Sequence, residues 1–76
     1  MRRATSAIEW YERGLALEAI AAYERALELD GTLADAHFNL ARQLERAAGS
    51  NELVLRRAVR HLARYRDLAR HQPIFK

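Results

Sequence analysis

The stretch AIAAYERALELDG, residues 19–31, decides the fold of this chain. Alanine, leucine and glutamate make up most of it, and these residues are strong helix formers. Gly31 comes two positions after the last leucine, where many helices close in a left-handed turn. The stretch therefore predicts a helix that ends at about Leu29.

Composition extends this helical pattern to the whole chain. Of the 76 residues, 50% are hydrophobic, 30% are charged and 8% are aromatic. Alanine, leucine, glutamate and arginine predominate, whereas valine, isoleucine and threonine are scarce, a balance typical of helices. We expect an all-α fold in one small domain, residues 1–76, with flexible ends at 1–5 and 72–76.

Helix start and stop signals divide the chain into three helices. Ser6 and Thr32 are each followed three residues later by a carboxylate, which is the pattern of a capping box. Gly49 is suited to end the second helix, and either Ser50 or Asn51 to open the third. The predicted helices cover about 7–29, 33–48 and 52–71.

Gly14 is the position at which the first helix could break. A break there would leave a first piece of seven residues, and isolated helices shorter than about 12–15 residues are marginal, so we expect one continuous helix. It has two apolar stripes, and a partner subunit is expected to bury the second. The first stripe is Ile8, Tyr11, Leu15, Ala19, Ala22, Ala26 and Leu29, and the second is Trp10, Gly14, Leu17 and Ala21. Assigned to the core are Trp10, Tyr23, Leu27 and Leu62.

Patterns that carry chemistry are scarce. The chain has no cysteine, and its three histidines lack the spacing of a metal-binding pair on a helix. No nucleophile motif is present and so short a chain encloses little volume, so we expect no enzyme, cofactor or metal. The N-terminus lacks the apolar segment of a signal peptide, which predicts a cytoplasmic protein. Twelve arginines against one lysine, with fifteen alanines, suggest a GC-rich bacterial coding sequence.

Four segments resemble the tetratricopeptide repeat family, whose members are protein-interaction modules. Residues 10–17, WYERGLAL, resemble the first helix of a repeat, in which a tryptophan precedes a glycine. Residues 19–31 resemble the second helix. Residues 34–44, ADAHFNLARQL, resemble the first helix of a following repeat, with His37 at the tryptophan position, and residues 58–62 resemble its second helix.

The spacing of these segments departs from the family period of about 34 residues. Trp10 and His37 are 27 residues apart, so about seven residues are missing from the first repeat. The missing piece corresponds to the turn between its two helices, which makes this a degenerate two-repeat chain with a shortened first repeat. Without this turn the two helical segments form one continuous helix, which cannot fold back on itself. We therefore expect two chains to exchange helices in a homodimer.

The resemblance also implies where a partner binds. In the family, ligands lie along the first helix of each repeat, so another polypeptide is the expected partner, held in a helical groove. In chaperone-binding members of the family, a set of side chains holds the terminal carboxylate of the ligand. Asn39 matches an asparagine of this set, but the other positions do not match, so binding of a chaperone tail is not expected. For Tyr11 and Phe38, core packing is the alternative. The implied partner-binding residues are Tyr11, Leu15, Asp35, Phe38, Asn39, Arg42 and Arg46.

Charge is distributed unevenly along the chain. Residues 1–50 carry a net charge of −2 and residues 51–76 a net charge of +5. A basic amphipathic helix can bind nucleic-acid phosphates, so the alternative function is that of a small nucleic-acid-associated regulatory protein. A solvated face, or pairing with the acidic first helix, is the simpler interpretation. The basic face comprises Arg56, Arg57, Arg60 and Arg64, opposite Leu55, Ala58, Val59, Leu62, Tyr65 and Ala69.

Overall fold

Three α-helices make up most of the computed structural model, which describes residues 7–71. They are α1 (Ala7–Leu29), α2 (Ala34–Ala48) and α3 (Glu52–His71). The all-α prediction is confirmed, and α1 runs through Gly14 without a break. Both α1 and α3 have the predicted bounds, and α2 begins one residue later than predicted. The expected flexible ends at 1–5 and 72–76 and the Ser6 cap lie outside the described residues.

Asp30, rather than a capping box at Thr32, holds the turn between α1 and α2. The Asp30 carboxylate accepts hydrogen bonds from the hydroxyl (2.6 Å) and the backbone N–H (2.9 Å) of Thr32. These two bonds hold the pKa of Asp30 below its usual value because they stabilise the ionised carboxylate, and the bond from the hydroxyl has the larger effect. Leu33 occupies the N-cap of α2 without a side-chain capping bond. The predicted box is therefore wrong, and Gly31 lacks the positive φ that was also predicted.

The turn between α2 and α3 follows the sequence signals closely. Gly49 has a φ of 58°, in the left-handed region that favours glycine. Asn51 caps α3, because its Oδ1 accepts hydrogen bonds from the backbone N–H groups of Leu53 (3.0 Å) and Val54 (3.3 Å). Of the two residues suited to open α3, the structure therefore selects Asn51 rather than Ser50.

Helix α2 lies between the other two helices and runs antiparallel to both. It contacts α1 on one side and α3 on the other. Its leucines Leu40 and Leu44 are fully buried. Ile20 of α1 and Ala58 of α3 pack against them from the two sides. The core assignments that the structure confirms are Tyr23, Leu27 and Leu62, which are partly buried around this cluster.

The face of α1 that packs on α2 differs from both predicted stripes. It consists of Ala16, Ile20, Tyr23 and Leu27, whose 4-3-4 spacing keeps them on one side of the helix. Continued toward the N-terminus, this spacing meets Glu12 and then Glu9, which are charged. The packed face therefore ends at Ala16, and the apolar residues that precede it point elsewhere.

Trp10, which the sequence assigned to the core, and Val59, which it placed opposite the basic face, are both exposed. Trp10 is 59% exposed because it lies on the side of α1 away from Ala16, and the Arg13 guanidinium carbon sits 5.3 Å from its ring centroid. Val59 is also largely exposed. It stands about 100° around α3 from the buried Ala58, which turns it out of the interface with α2.

The N-terminal part of α1 extends past the end of α2. The two helices have 23 and 15 residues, so at 1.5 Å per residue α1 is about 12 Å longer than α2. Ala16 is the first buried residue along the described part of the chain. We call residues 7–17, which include this extension, the α1 overhang.

Candidate functional site

The α1 overhang concentrates the exposed apolar side chains of residues 7–71. Single exposed apolar residues are normal on a protein surface, but neighbouring ones mark an interaction surface, as Ile8, Tyr11 and Leu15 are on one side of α1 and Trp10 and Leu17 on another. Here five large apolar side chains within ten positions are 47–67% exposed. They are Ile8, Trp10, Tyr11, Leu15 and Leu17.

An open cleft of about 890 Å³ lies where the overhang leaves the end of α2. Tyr11 and Leu15 line one wall together with Ile8, and Arg46 of α2 lies across from them. Two glutamates and two arginines complete a lining that is apolar in part and balanced in charge. Three of the residues predicted to bind a partner, Tyr11, Leu15 and Arg46, therefore meet in one cleft.

The other four predicted partner-binding residues follow the outer face of α2. Asp35 and Arg42 are exposed, and Asn39 is half-buried. Phe38 contacts Tyr65 of α3 with ring centroids 5.1 Å apart, and the Arg42 guanidinium carbon lies 5.9 Å from the Phe38 centroid. Phe38 therefore takes part in the packing of α2 on α3. Arg42 lies one helical turn before the residue of α2 that lines the cleft.

The four arginines predicted to form one basic face have two environments. Arg57 turns toward α1 and forms an ion pair with Glu24. Arg56, Arg60 and Arg64 are exposed on the outward side of α3. The predicted basic face is thus reduced to three residues, because pairing with the acidic first helix engages Arg57.

His37 and His61 form a hydrogen-bonded pair between α2 and α3. Their Nδ1 atoms are 2.9 Å apart, and the rings stack with centroids 5.1 Å apart. The Nε2 of His37 lies 3.0 Å from the carbonyl oxygen of Gly31. A carbonyl can only accept, so Nε2 carries a proton; the Nδ1 of neutral His37 is then an acceptor, and His61 donates to it.

The surroundings of His61 disfavour its charged form. Partial burial lowers its pKa, and the positive charges of His37, Arg57 and Arg60 lower it further. Glu24 of α1 acts in the opposite direction. The His37–His61 hydrogen bond links two helices, and the surroundings of His61 favour the neutral imidazole on the α3 side of that link.

The histidine pair is the feature that the sequence reasoning missed, since it treated the three histidines as scattered. Residues equidistant from a tight turn face each other in an antiparallel helix pair. His37 and His61 each stand twelve positions from Gly49. The same register sets Leu40 opposite Ala58, and both belong to the core cluster. Counting outward from the turn glycine was the signal that would have found the pair.

Two further findings concern residues 7–71. No helix in this range is long and apolar enough to cross a membrane. Within the same range, no three or more histidine, aspartate or glutamate side chains are grouped so that they could hold a metal ion.

The middle of the chain, from the second half of α1 to most of α2, matches a known family. A protein-family model described as a TPR repeat matches residues 18–44. This segment is similar to a tetratricopeptide-type repeat. No curated protein and no solved structure matches the chain.

The TPR-type repeat includes two of the four segments that carry the resemblance. Residues 19–31 and 34–44 fall within the match, whereas residues 10–17 and 58–62 lie outside it. The α1 overhang comes directly before the repeat in the chain and continues its first helix without a turn. The exposed apolar group therefore adjoins the TPR-type repeat.

Proposed function

We propose that this chain is a non-enzymatic, TPR-type interaction module that binds a polypeptide at the α1 overhang and the adjoining cleft. The observation that carries the proposal is the cluster of exposed apolar side chains on the overhang, each at least 47% exposed. The TPR-type match supports a protein as the partner, because such repeats bury their faces against neighbouring helices.

The shape of the surface favours a helical or extended segment as the ligand. Ile8, Tyr11 and Leu15 are spaced by three and four residues, so they form a ridge along one side of the overhang. The cleft beside this ridge is open at the end of α2 and carries Arg46 on its far side. An apolar ridge beside a partly charged cleft is suited to the apolar face of an amphipathic partner helix.

A photo-crosslinking amino acid placed at Tyr11 tests the proposal. In extracts of the source organism, we expect covalent capture of one or a few defined polypeptides, identified by mass spectrometry. The matched control is the same crosslinker at Leu53, which is exposed to nearly the same degree, 69% against 67%, but lies on α3. Equal capture at both positions, or none at Tyr11, would contradict the proposal.

A second candidate function is non-specific binding of nucleic acid. The observation that favours it is the exposure of Arg56, Arg60 and Arg64 along one side of α3, four residues apart. Phosphate groups spaced along a backbone can pair with such a row. Asp67, one turn beyond Arg64, reduces the positive charge at the end of the row.

A further inference from the structure

Building on the proposed function, we propose that the occupant of the α1 overhang is a second copy of this chain. The two overhangs pack antiparallel across a two-fold axis that passes near Tyr11. Each overhang then fills the cleft at the end of the other copy's α2.

The apolar ridge of the overhang is self-complementary in this arrangement. Ile8 precedes Tyr11 by three residues and Leu15 follows it by four, the spacing of a coiled-coil seam. When two such ridges cross antiparallel at Tyr11, Ile8 of each copy faces Leu15 of the other. A two-fold interface requires a surface that matches itself, and this ridge does so.

The charged residues that line the cleft are also self-complementary. Glu9 and Glu12 are balanced by Arg13 and Arg46, so two identical surfaces meet without net repulsion. Glu12 adjoins the Tyr11 axis, and Arg46 lies across the cleft that the second overhang enters. The antiparallel arrangement therefore brings Glu12 of one copy to Arg46 of the other, at two symmetric places.

A head-to-tail contact is the competing arrangement between copies. Residues Ala7–Leu29 carry a net charge of −3 and Glu52–His71 a net charge of +4, so α3 of one copy could meet α1 of the next. Such a contact does not close and would build open chains. The cleft beside the overhang favours the closed pair, because its volume of about 890 Å³ exceeds the 270 Å³ of the shallow depression that Val59 lines on α3.

Charge-swapped variants test the pairing in trans. Glu12→Arg and Arg46→Glu change exposed residues, so both variants are expected to fold. Sedimentation equilibrium should show a wild-type dimer, and each variant alone should raise its dissociation constant at least about tenfold. A mixture of the two should recover the wild-type constant, because the heterodimer restores both Glu–Arg contacts. A monomeric wild type, or a mixture that associates no better than its components, would overturn the proposal.

Cysteine crosslinking tests the position of the axis on a background free of native cysteine. Under mild oxidation Tyr11→Cys should form a covalent dimer within minutes, because the two copies meet at this residue. Val59→Cys, exposed on α3, is the matched control and should form no disulfide between copies, because it lies outside the proposed interface. A mixture that crosslinks Cys at 11 to Cys at 59 would show the head-to-tail contact and would overturn the two-fold arrangement.

The two proposals fail in different ways. If the wild type is monomeric but a crosslinker at Tyr11 captures another polypeptide, the second copy is wrong and the interaction module stands. If Tyr11 captures neither this chain nor any other, both are wrong.

Discussion

The Nδ1 atoms of His37 and His61 meet at 2.9 Å across the interface of α2 and α3. Because the carbonyl of Gly31 fixes the proton on the other nitrogen of His37, the bond exists only while His37 Nδ1 is unprotonated. Full protonation of both rings would turn two N–H groups toward each other. Arg57 and Arg60 add positive charge there, and Glu24 alone among the named neighbours opposes it.

The free energy of unfolding is expected to fall as the pH drops through about 6.5. His61 has a pKa below its ordinary value of 6.5 in the folded chain, so the unfolded chain takes up the proton first. The contribution of the pair is therefore fully present above the ordinary pKa and is lost as the pH falls toward the lowered one. Urea denaturation at a series of pH values from about 8 to 5 measures the decline.

A pair of histidine variants isolates the cause. His61→Gln should flatten the pH dependence in this window. His71→Gln should leave it unchanged, because His71 is exposed and its Nδ1 donates to the carbonyl of Asp67, one turn earlier on the same helix. If the free energy of unfolding of His61→Gln fell with pH as steeply as that of the wild type, another group would be responsible for the pH dependence.

Leu40 is the residue on which the fold depends most. It is 0% exposed between α1 and α3, so Leu40→Ala leaves a cavity and is expected to cost about 2–5 kcal/mol. A domain of this size has a total stability of only about 4–11 kcal/mol, so the substitution should remove a large part of it and lower the melting temperature markedly. Leu53→Ala removes the same atoms from an exposed site and should change the stability by less than about 0.5 kcal/mol. Thermal melts of the two variants give the comparison.

The sequence predicted the helices better than the way they pack. Glycine and asparagine act locally, so Gly49 and Asn51 mark the end of α2 and the start of α3 without reference to other elements. The packed face of α1 depends instead on where α2 ends. Trp10 belongs to an apolar stripe but lies before the packed segment and on the side of α1 away from Ala16, so none of residues 7–71 buries it.

Part of the candidate site was within reach of the sequence. Tyr11, Leu15 and Arg46 were named from the family resemblance, and the structure brings them to one cleft. The cleft itself follows from the unequal lengths of α1 and α2, which no single motif encodes. Arg57 separates from the other arginines because its position on α3 faces Glu24, a contact between helices that are not consecutive in the chain.

Substitution of two glycines by alanine should have opposite effects. Gly14 lies inside α1, and no atom other than the helix's own backbone and the two adjacent residues stands within 4 Å of an added Cβ, so Gly14→Ala should stabilise the fold by about 0.5–1 kcal/mol. Gly49 has a φ of 58°, so Gly49→Ala should destabilise it by about 1 kcal/mol. Urea denaturation of both variants measures the sign of each change in the free energy of unfolding. A loss of stability in Gly14→Ala would mean that this side of α1 is covered.

The cap of α3 can be assigned by a pair of neighbouring substitutions. Asn51→Ala removes the acceptor for the N–H groups of Leu53 and Val54 and should cost about 1 kcal/mol. Ser50→Ala, one residue earlier, should be close to neutral. Equal losses in the two variants, measured by urea denaturation, would assign part of the cap to Ser50.

Nucleic-acid binding by α3 should be weak and limited by the number of free arginines. With Arg57 engaged by Glu24, three arginines of the predicted basic face remain to neutralise phosphates, so binding of duplex DNA by this face should give a slope of about −3 for the logarithm of the binding constant against the logarithm of salt. Replacing Arg56, Arg60 and Arg64 by glutamine should abolish this binding and leave self-association through the overhang intact, because the two surfaces lie on different helices. A much steeper slope, measured by fluorescence anisotropy across a salt series, would require more cations than this face presents.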